Sequence, residues 1–292
     1  MNLEELKFLL HKYHLTPNKV RGQNFLISDE VLADILQAAD LKASDTVLEV
    51  GPGLGALTTR LLAKVTRVVA FEVDKNLQNL LNNLVRLNKN LDLHWQDILS
   101  LKERHWQDIL ARFAESRRAE HKIKNYKIVA NIPYYLTAKF INQFLSFKQP
   151  PQSMILMLQK EVAERIEIKD GKNSLLSLAV AFYGRAQIVR LVTKNNFFPI
   201  PKVDSAILKI DQIKAWQYKE DEKLVWQLIK RGMAHKRKKL FNNLLSDQKI
   251  AKDKLSKIFL ALKIDQNARA ENLNKDLWLK LASEIKKDPT GH

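Results

Sequence analysis

The chain of 292 residues contains no cysteine. That excludes a disulfide framework, a cysteine nucleophile and a cysteine-based zinc site. No apolar run approaches the roughly 20 residues that a membrane span requires. The first residues carry Glu4, Glu5, Lys7 and Lys12 and lack the apolar centre of a signal peptide. These absences make a cytoplasmic location the expectation. Acidic side chains are in short supply: 32 Asp and Glu face 49 Lys and Arg, a formal net charge of +17. A surface so short of negative charge attracts polyanions by releasing their counterions, which points to nucleic acid as the partner. An anionic membrane is the alternative, but neither terminus offers the isolated amphipathic helix that would bind one. What is present is ordinary for a globular protein: 46% hydrophobic and 28% charged residues, and a length sufficient for one large domain and a smaller one.

The first informative pattern is an apolar strand, Thr46-Val47-Leu48-Glu49-Val50, followed by Gly51-Pro52-Gly53-Leu54-Gly55 and a helical run from Ala56 to Lys64. Strand, glycine-rich turn and helix open a Rossmann-type unit. Glycines let the backbone approach a ligand where a Cβ would block it. The spacing differs from the dinucleotide fingerprint, and the turn lacks the Lys-Ser/Thr of a phosphate loop, so it suits an uncharged or cationic cofactor. A second strand, Arg67 to Phe71, runs into Glu72, where such folds place an acid that takes both hydroxyls of a ribose. Seen alone, Glu72 is only a strand-end carboxylate facing solvent. A polar helix spans 75–89. A third strand, Leu91 to Trp95, ends at Gln96-Asp97, and Asp97 is a candidate acceptor for the amine of adenine. The hexapeptide from His94 to Leu99 recurs from His105 to Leu110, which makes Asp108 a rival; only Asp97 directly follows a strand. Residues 111–127 read as a solvated connection.

The next strand, Ile128-Val129-Ala130, delivers Asn131-Ile132-Pro133-Tyr134-Tyr135. Pro133 stops the strand, so an amide, a rigid turn and two aromatic rings are presented together at a strand end. In an open α/β sheet ligands sit at those ends. The pattern matches the Asn-x-Pro-Tyr signature of methyltransferases that modify exocyclic amino groups of nucleobases; a tight turn with two surface tyrosines is the plainer account of the same residues. A helix from Thr137 to Phe147, a strand from Ser153 to Leu158, helices at 160–168 and 175–183, and strands at 186–193 and 205–210 follow. Phe197 and Phe198, in a loop fixed by Pro199 and Pro201, either fill the core or stack on a base beside the Asn131 turn. After Asp211 the pattern turns to helices alone, at 219–246, 251–263 and 273–286. That divides the chain into residues 1–211 and a small helical domain, residues 212–292. The second carries His235 followed by Lys236, Arg237, Lys238 and Lys239 with no acid nearby, a candidate nucleic-acid contact.

Taken together, the chain resembles the bacterial small-subunit ribosomal RNA adenine N6,N6-dimethyltransferases. The motifs are Gly22-Gln23-Asn24-Phe25-Leu26, Glu49 through Gly55, Asn131 through Tyr135, Gln159-Lys160-Glu161-Val162-Ala163, Phe197 through Ser205, and Arg269-Ala270-Glu271-Asn272-Leu273. The resemblance implies a Rossmann-like class I methyltransferase domain at 1–211 with an all-helical domain behind it. It implies S-adenosylmethionine as cofactor, held by Asn24, Leu26, Gly51, Gly53, Glu72, Asp97 and Asn131. It implies catalysis at Asn131, Pro133, Tyr134, Phe197 and Phe198. The Asn131 side-chain oxygen and the Ile132 or Pro133 carbonyl would accept from adenine N6, with Tyr134 stacking on one face of the base and Phe197 or Phe198 on the other. One departure is Tyr135, where many relatives carry Asn. The implied partner is small-subunit ribosomal RNA in the 30S subunit, with no metal, no membrane and a monomeric enzyme. Two other readings stand beside it: a large-subunit methylase of the resistance type, and a ribosome-assembly factor that binds RNA with little catalysis.

Overall fold

In a computed structural model of the chain, residues 1–18, 22–116, 126–246 and 250–287 are described. Packing divides the chain into two compact units, Met1–Ala163 with Gly184–Ala215, and Glu164–Tyr183 with Trp216–His292. Among its described residues the first is built on nine strands: β1 Phe25–Leu26, β2 Thr46–Val50, β3 Arg67–Phe71, β4 Leu91–His94, β5 Lys127–Asn131, β6 Ser153–Gln159, β7 Arg185–Val192, β8 Phe197–Phe198 and β9 Ser205–Asp211.

Seven of them form one sheet in the order β4-β3-β2-β5-β6-β9-β7. β4, β3, β2, β5 and β6 run parallel, and β9 runs antiparallel to both its neighbours. Every residue of β2 and β3 is buried, which is why these strands read as near-continuous apolar runs. The chain builds outward from β2 to β4, then returns to lay β5 on the other side of β2. The order therefore reverses between β2 and β5, where an α/β sheet opens a crevice at its carboxyl end. Val50 and Asn131 are the last residues of those two strands. Helix Asp29–Ala39 is capped at its start, with Ser28 Oγ accepting from the Val31 N–H at 3.3 Å.

The stretch after Asp97 differs in detail from expectation. Helix Glu103–Ser116 occupies part of the stretch read as a solvated connection; residues 117–125 of that stretch lie outside the described residues. The repeated hexapeptide takes two structures: the first copy is a strand end and a turn, the second lies in this helix with Trp106 1% exposed. Tertiary context decides the conformation of identical residues.

The second unit contains helices Leu175–Tyr183, Glu222–Gly232, Leu240–Leu245, Lys252–Ala261 and Lys275–Lys287. It takes in Glu164–Tyr183, which the sequence grouped with residues 1–211. The reason is aromatic packing: the Phe182 ring centroid lies 5.3 Å from that of Trp216, 5.8 Å from Tyr218 and 5.6 Å from Trp226. The single helix expected at 219–246 is broken. A Cβ on Gly232 would lie 2.6 Å from Trp278 and 2.7 Å from Leu240. The chain turns there, and Asn243 Nδ2 donates to the carbonyls of Gly232 at 2.6 Å and His235 at 3.1 Å. The basic run is thus an exposed loop between two helices rather than a helical face.

Candidate active site

A cavity of about 320 Å³ opens where the strand order reverses. Its wall includes Asn24, Leu26, Gly51, Gly53, Glu72, Asp97 and Asn131, together with Pro133, Tyr134 and Phe197. Residues more than 100 positions apart in the sequence are brought to one place.

The glycine turn supplies the floor. Gly51, Gly53 and Gly55 have φ of 66°, 56° and 84°, the left-handed region that glycine enters without strain. Gly51 and Gly53 serve different ends. A Cβ on Gly51 would meet nothing within 4 Å, whereas one on Gly53 would lie 3.1 Å from the Phe25 ring. Gly51 leaves room for a ligand, and Gly53 leaves room for Phe25.

Glu72 is 6% exposed. Its Oε1 accepts from the Val73 and Asp74 N–H groups at 2.8 Å each, and its Oε2 accepts from the Gly53 N–H at 3.4 Å. Burial raises its pKa above the usual carboxyl value, while those three N–H groups act the other way. The acid is therefore aimed by the backbone and tied to the glycine turn. Asp97 uses one oxygen to accept from the Leu99 N–H at 2.9 Å, capping the turn Ile98–Ser100. Asp108 is exposed on helix Glu103–Ser116 and takes no part in the cavity wall.

At the end of β5, Asn131 Nδ2 donates to the Asn24 carbonyl at 3.3 Å, which fixes the amide and leaves Oδ1 as an acceptor. The Ile132 N–H donates to the Met157 carbonyl at 3.1 Å. The Pro133 carbonyl is already used: it accepts from the Leu136 N–H at 2.9 Å and closes the turn Tyr134–Leu136. Among the described residues the Ile132 carbonyl closes no such turn. The half-buried Tyr134 shares a 2.9 Å hydrogen bond between its hydroxyl and Ser205 Oγ, and burial raises the phenol above its ordinary pKa. Tyr135 is 63% exposed.

The two phenylalanines part company. They form β8, which pairs antiparallel with β1: Leu26 faces Phe197 and Phe25 faces Phe198. Phe197 is 2% exposed, belongs to the main core and reaches the cavity wall. Phe198 packs instead with Leu6, Leu54 and Leu77 and is absent from the wall. Sequence reasoning kept this segment and the 22–26 loop apart; the structure joins them.

Three wall or wall-supporting residues were not singled out from sequence. Glu49 lines the cavity, 1% exposed, and its Oε2 has no hydrogen-bond partner among the described residues. Burial pushes its pKa up to about 8, the neighbouring Glu72 charge adds to the rise, and the Thr58 hydroxyl opposes it. The signal was a lone charge inside a five-residue strand that is otherwise apolar or small. Gln23 and Ser205 carry no such signal; their roles are contacts with distant residues.

Comparison with known proteins now bears on this site. The profile of ribosomal RNA adenine dimethylases matches residues 15–287. The chain belongs to the ribosomal RNA adenine dimethylase family. Among its relatives, "Ribosomal RNA small subunit methyltransferase A" of Dehalococcoides mccartyi (strain CBDB1) is 39% identical over 289 residues, 98% of this chain and 94% of that one. The protein of the same name from Fusobacterium nucleatum is 36% identical over 267 residues, 90% of this chain and 95% of that one. Among solved structures, a dimethyladenosine transferase from Plasmodium falciparum aligns with a TM-score of 0.71 at 24% identity, covering 90% of this chain and 98% of the other. The 23S rRNA methyltransferase ErmE aligns at 0.68 and 21% identity, covering 90% and 100%. These two likenesses show the fold alone, that of class I methyltransferases.

The family's methyl donor is S-adenosylmethionine, and the cavity wall fits it on chemistry. A backbone-aimed carboxylate, Glu72, suits a pair of ribose hydroxyls. Glu49 Oε2, without a hydrogen-bond partner among the described residues, is left as an acceptor for a donor group of the ligand. Glu72 and Asp97 together favour a cationic ligand, and Gly51 leaves open space in the glycine turn. Among the described residues no three His, Asp or Glu side chains gather as a metal site, and no helix is long and apolar enough to cross a membrane.

Proposed function

We propose that the protein dimethylates N6 of adenosines in small-subunit ribosomal RNA, probing the 30S particle as a single cytoplasmic chain during ribosome biogenesis. The small-subunit reading rests on near-full-length relatives of that name at 33–39% identity. The large-subunit methylase ErmE, at 21% identity, shares the fold alone.

The observation that carries the chemistry is the pinned Asn131 amide, with Nδ2 held by the Asn24 carbonyl and Oδ1 left for a donor. Adenine N6 is a poor nucleophile because its lone pair is delocalised into the ring. Asn131 Oδ1 and the Ile132 carbonyl accept its two hydrogens and draw them out of the ring plane, which localises the lone pair. Tyr134, held by Ser205, stacks on one face of the base, and Phe197 closes the other. Glu72 holds the ribose of S-adenosylmethionine, Asp97 its adenine amine, and Asn24, Leu26, Gly51 and Gly53 complete that side of the wall. Bound S-adenosylmethionine supplies an electrophilic methyl group, so the protein's own work is alignment and fixed dipoles. Pro133 serves as the rigid corner of the turn rather than as an acceptor.

Asn131→Ala removes an aimed acceptor and no core volume. Single-turnover assays on undermethylated small subunits should show methyl transfer slowed by about 10²–10³-fold. The wild type should yield dimethyladenosine. Near wild-type rates for both transfers in the variant would sink the assignment.

A further inference from the structure

We infer that Gln23 is a positioning residue, a latch that holds the segment Gly22–Leu26 in place along the cofactor cavity. The inference rests on the cavity being the S-adenosylmethionine site. Both ends of the Gln23 amide are engaged by the protein. Oε1 accepts from the Asn18 N–H at 2.8 Å, and Nε2 donates to Asp74 Oδ2 at 2.7 Å. The Gln23 N–H donates back to the Asn18 carbonyl at 3.2 Å. The side chain therefore acts through its protein partners.

Asp74 is a rigid partner. It is 4% exposed, its Oδ1 accepts from the Asn76 N–H at 3.2 Å, and its own N–H donates to Glu72 Oε1 at 2.8 Å. Gln23 thus ties the loop to the same short turn that aims Glu72. The far side of the segment is tied elsewhere: the Asn24 carbonyl receives Asn131 Nδ2, and Phe25–Leu26 pair with Phe198–Phe197. One five-residue segment touches the turn that aims Glu72, the Asn131 amide and the phenylalanine strand. Among the ties named for the described residues, the Gln23–Asp74 bond is the charge-assisted one, which makes it the strong one.

The bond can be broken and rebuilt with reversed polarity. Gln23→Glu keeps the acceptor for Asn18 but sets a carboxylate against Asp74. Asp74→Asn keeps the acceptor for Asn76. Combined, the two substitutions restore one donor and one charged acceptor with no change in net charge. Gln23 is half-buried and contributes no core volume, so the fold should survive each change. Calorimetric titration of the purified chain with S-adenosylmethionine is the readout. Gln23→Leu should weaken binding about tenfold, as expected for loss of a hydrogen bond to a charged group. Gln23→Glu should weaken it at least as much, and the combined variant should return to within about threefold of wild type. If wild-type protein fails to bind S-adenosylmethionine, the reading of the cavity is at fault. If wild type binds and Gln23→Leu binds equally well, or the combined variant shows the product of its two single losses, the latch is overturned.

Discussion

A carboxyl group inside a strand whose every residue is buried costs free energy unless it is neutral or paired. Glu49 sits in that position in β2, and burial raises its pKa to about 8 from an unperturbed 4.5. The sign follows directly. Between those values the folded chain holds a proton that the unfolded chain releases, so stability is greatest below the lower value and is lost as pH rises through the upper one. At about 1.4 kcal/mol per unit, the shift bounds the loss at on the order of 5 kcal/mol. Glu72, raised by burial as well, acts in the same sense. Ligand-free protein should therefore melt at progressively lower temperature from pH 5.5 to pH 8.5. Glu49→Gln should flatten much of that slope and melt higher than wild type at pH 8.5. Parallel melting curves across the range would show that Glu49 is not protonated in the folded chain. At this scale the sequence was informative wherever a polar residue stood at the end of an apolar run: Glu72, Asp97 and Asn131 all reach the cavity wall. It was silent on Gln23 and Ser205, because each acts through a hydrogen bond to a residue 51 or 71 positions away.

The ribbon of β1 and β8 brings Leu26 and Phe197 side by side in the cavity wall. No periodicity could have shown it. Two residues per strand carry no pattern, and their partners lie some 170 residues apart. The parallel strands β2, β3, β5 and β6, by contrast, were legible because they are largely buried and bounded by glycine, proline or a polar residue. Between those extremes lies the repeated hexapeptide, where identical residues form a turn once and a helix once. The ribbon also explains why two glycines in one turn should respond differently to substitution. Gly51→Ala and Gly53→Ala both force a left-handed conformation on an L-residue, which costs about 1–2 kcal/mol. Gly53→Ala adds a clash with Phe25 of β1, whose ring atoms lie 3.1 and 3.3 Å from the new Cβ. In urea unfolding of ligand-free protein, Gly53→Ala should be the less stable of the two, and Phe25→Leu added to it should recover part of the difference. Equal stabilities would remove Phe25 from the account. Gly51→Ala should instead lose more in cofactor affinity than its stability suggests, because its Cβ projects into open space.

The charge of the whole molecule sets what it meets before any base enters the cavity. An excess of 17 positive charges draws a polyanion from a distance, and counterion release makes that attraction salt-dependent. Composition alone made this legible; what it left open was where the charge is presented. The sequence offered Lys236, Arg237, Lys238 and Lys239 on a long helix, where half of them would point the wrong way. The break at Gly232 instead presents all four on one exposed loop, closed by Lys238 N–H donating to the His235 carbonyl at 3.0 Å. A loop of four adjacent cations can follow a phosphate backbone, and Lys239 already reaches Asn267. We expect all four to contact phosphate, and none to take part in methyl transfer itself. Replacing them together with Gln should weaken binding to small subunits and flatten the dependence of log K on log salt by roughly 0.7–0.9 per lost contact, up to about 3.6 in all. Affinity for S-adenosylmethionine should be unchanged, since the loop lies outside the cavity wall. Filter binding across a salt series reads the slope, and calorimetry reads the cofactor. A slope superimposable on that of wild type would make the loop a solvated surface and move the RNA contact to other cations of the chain.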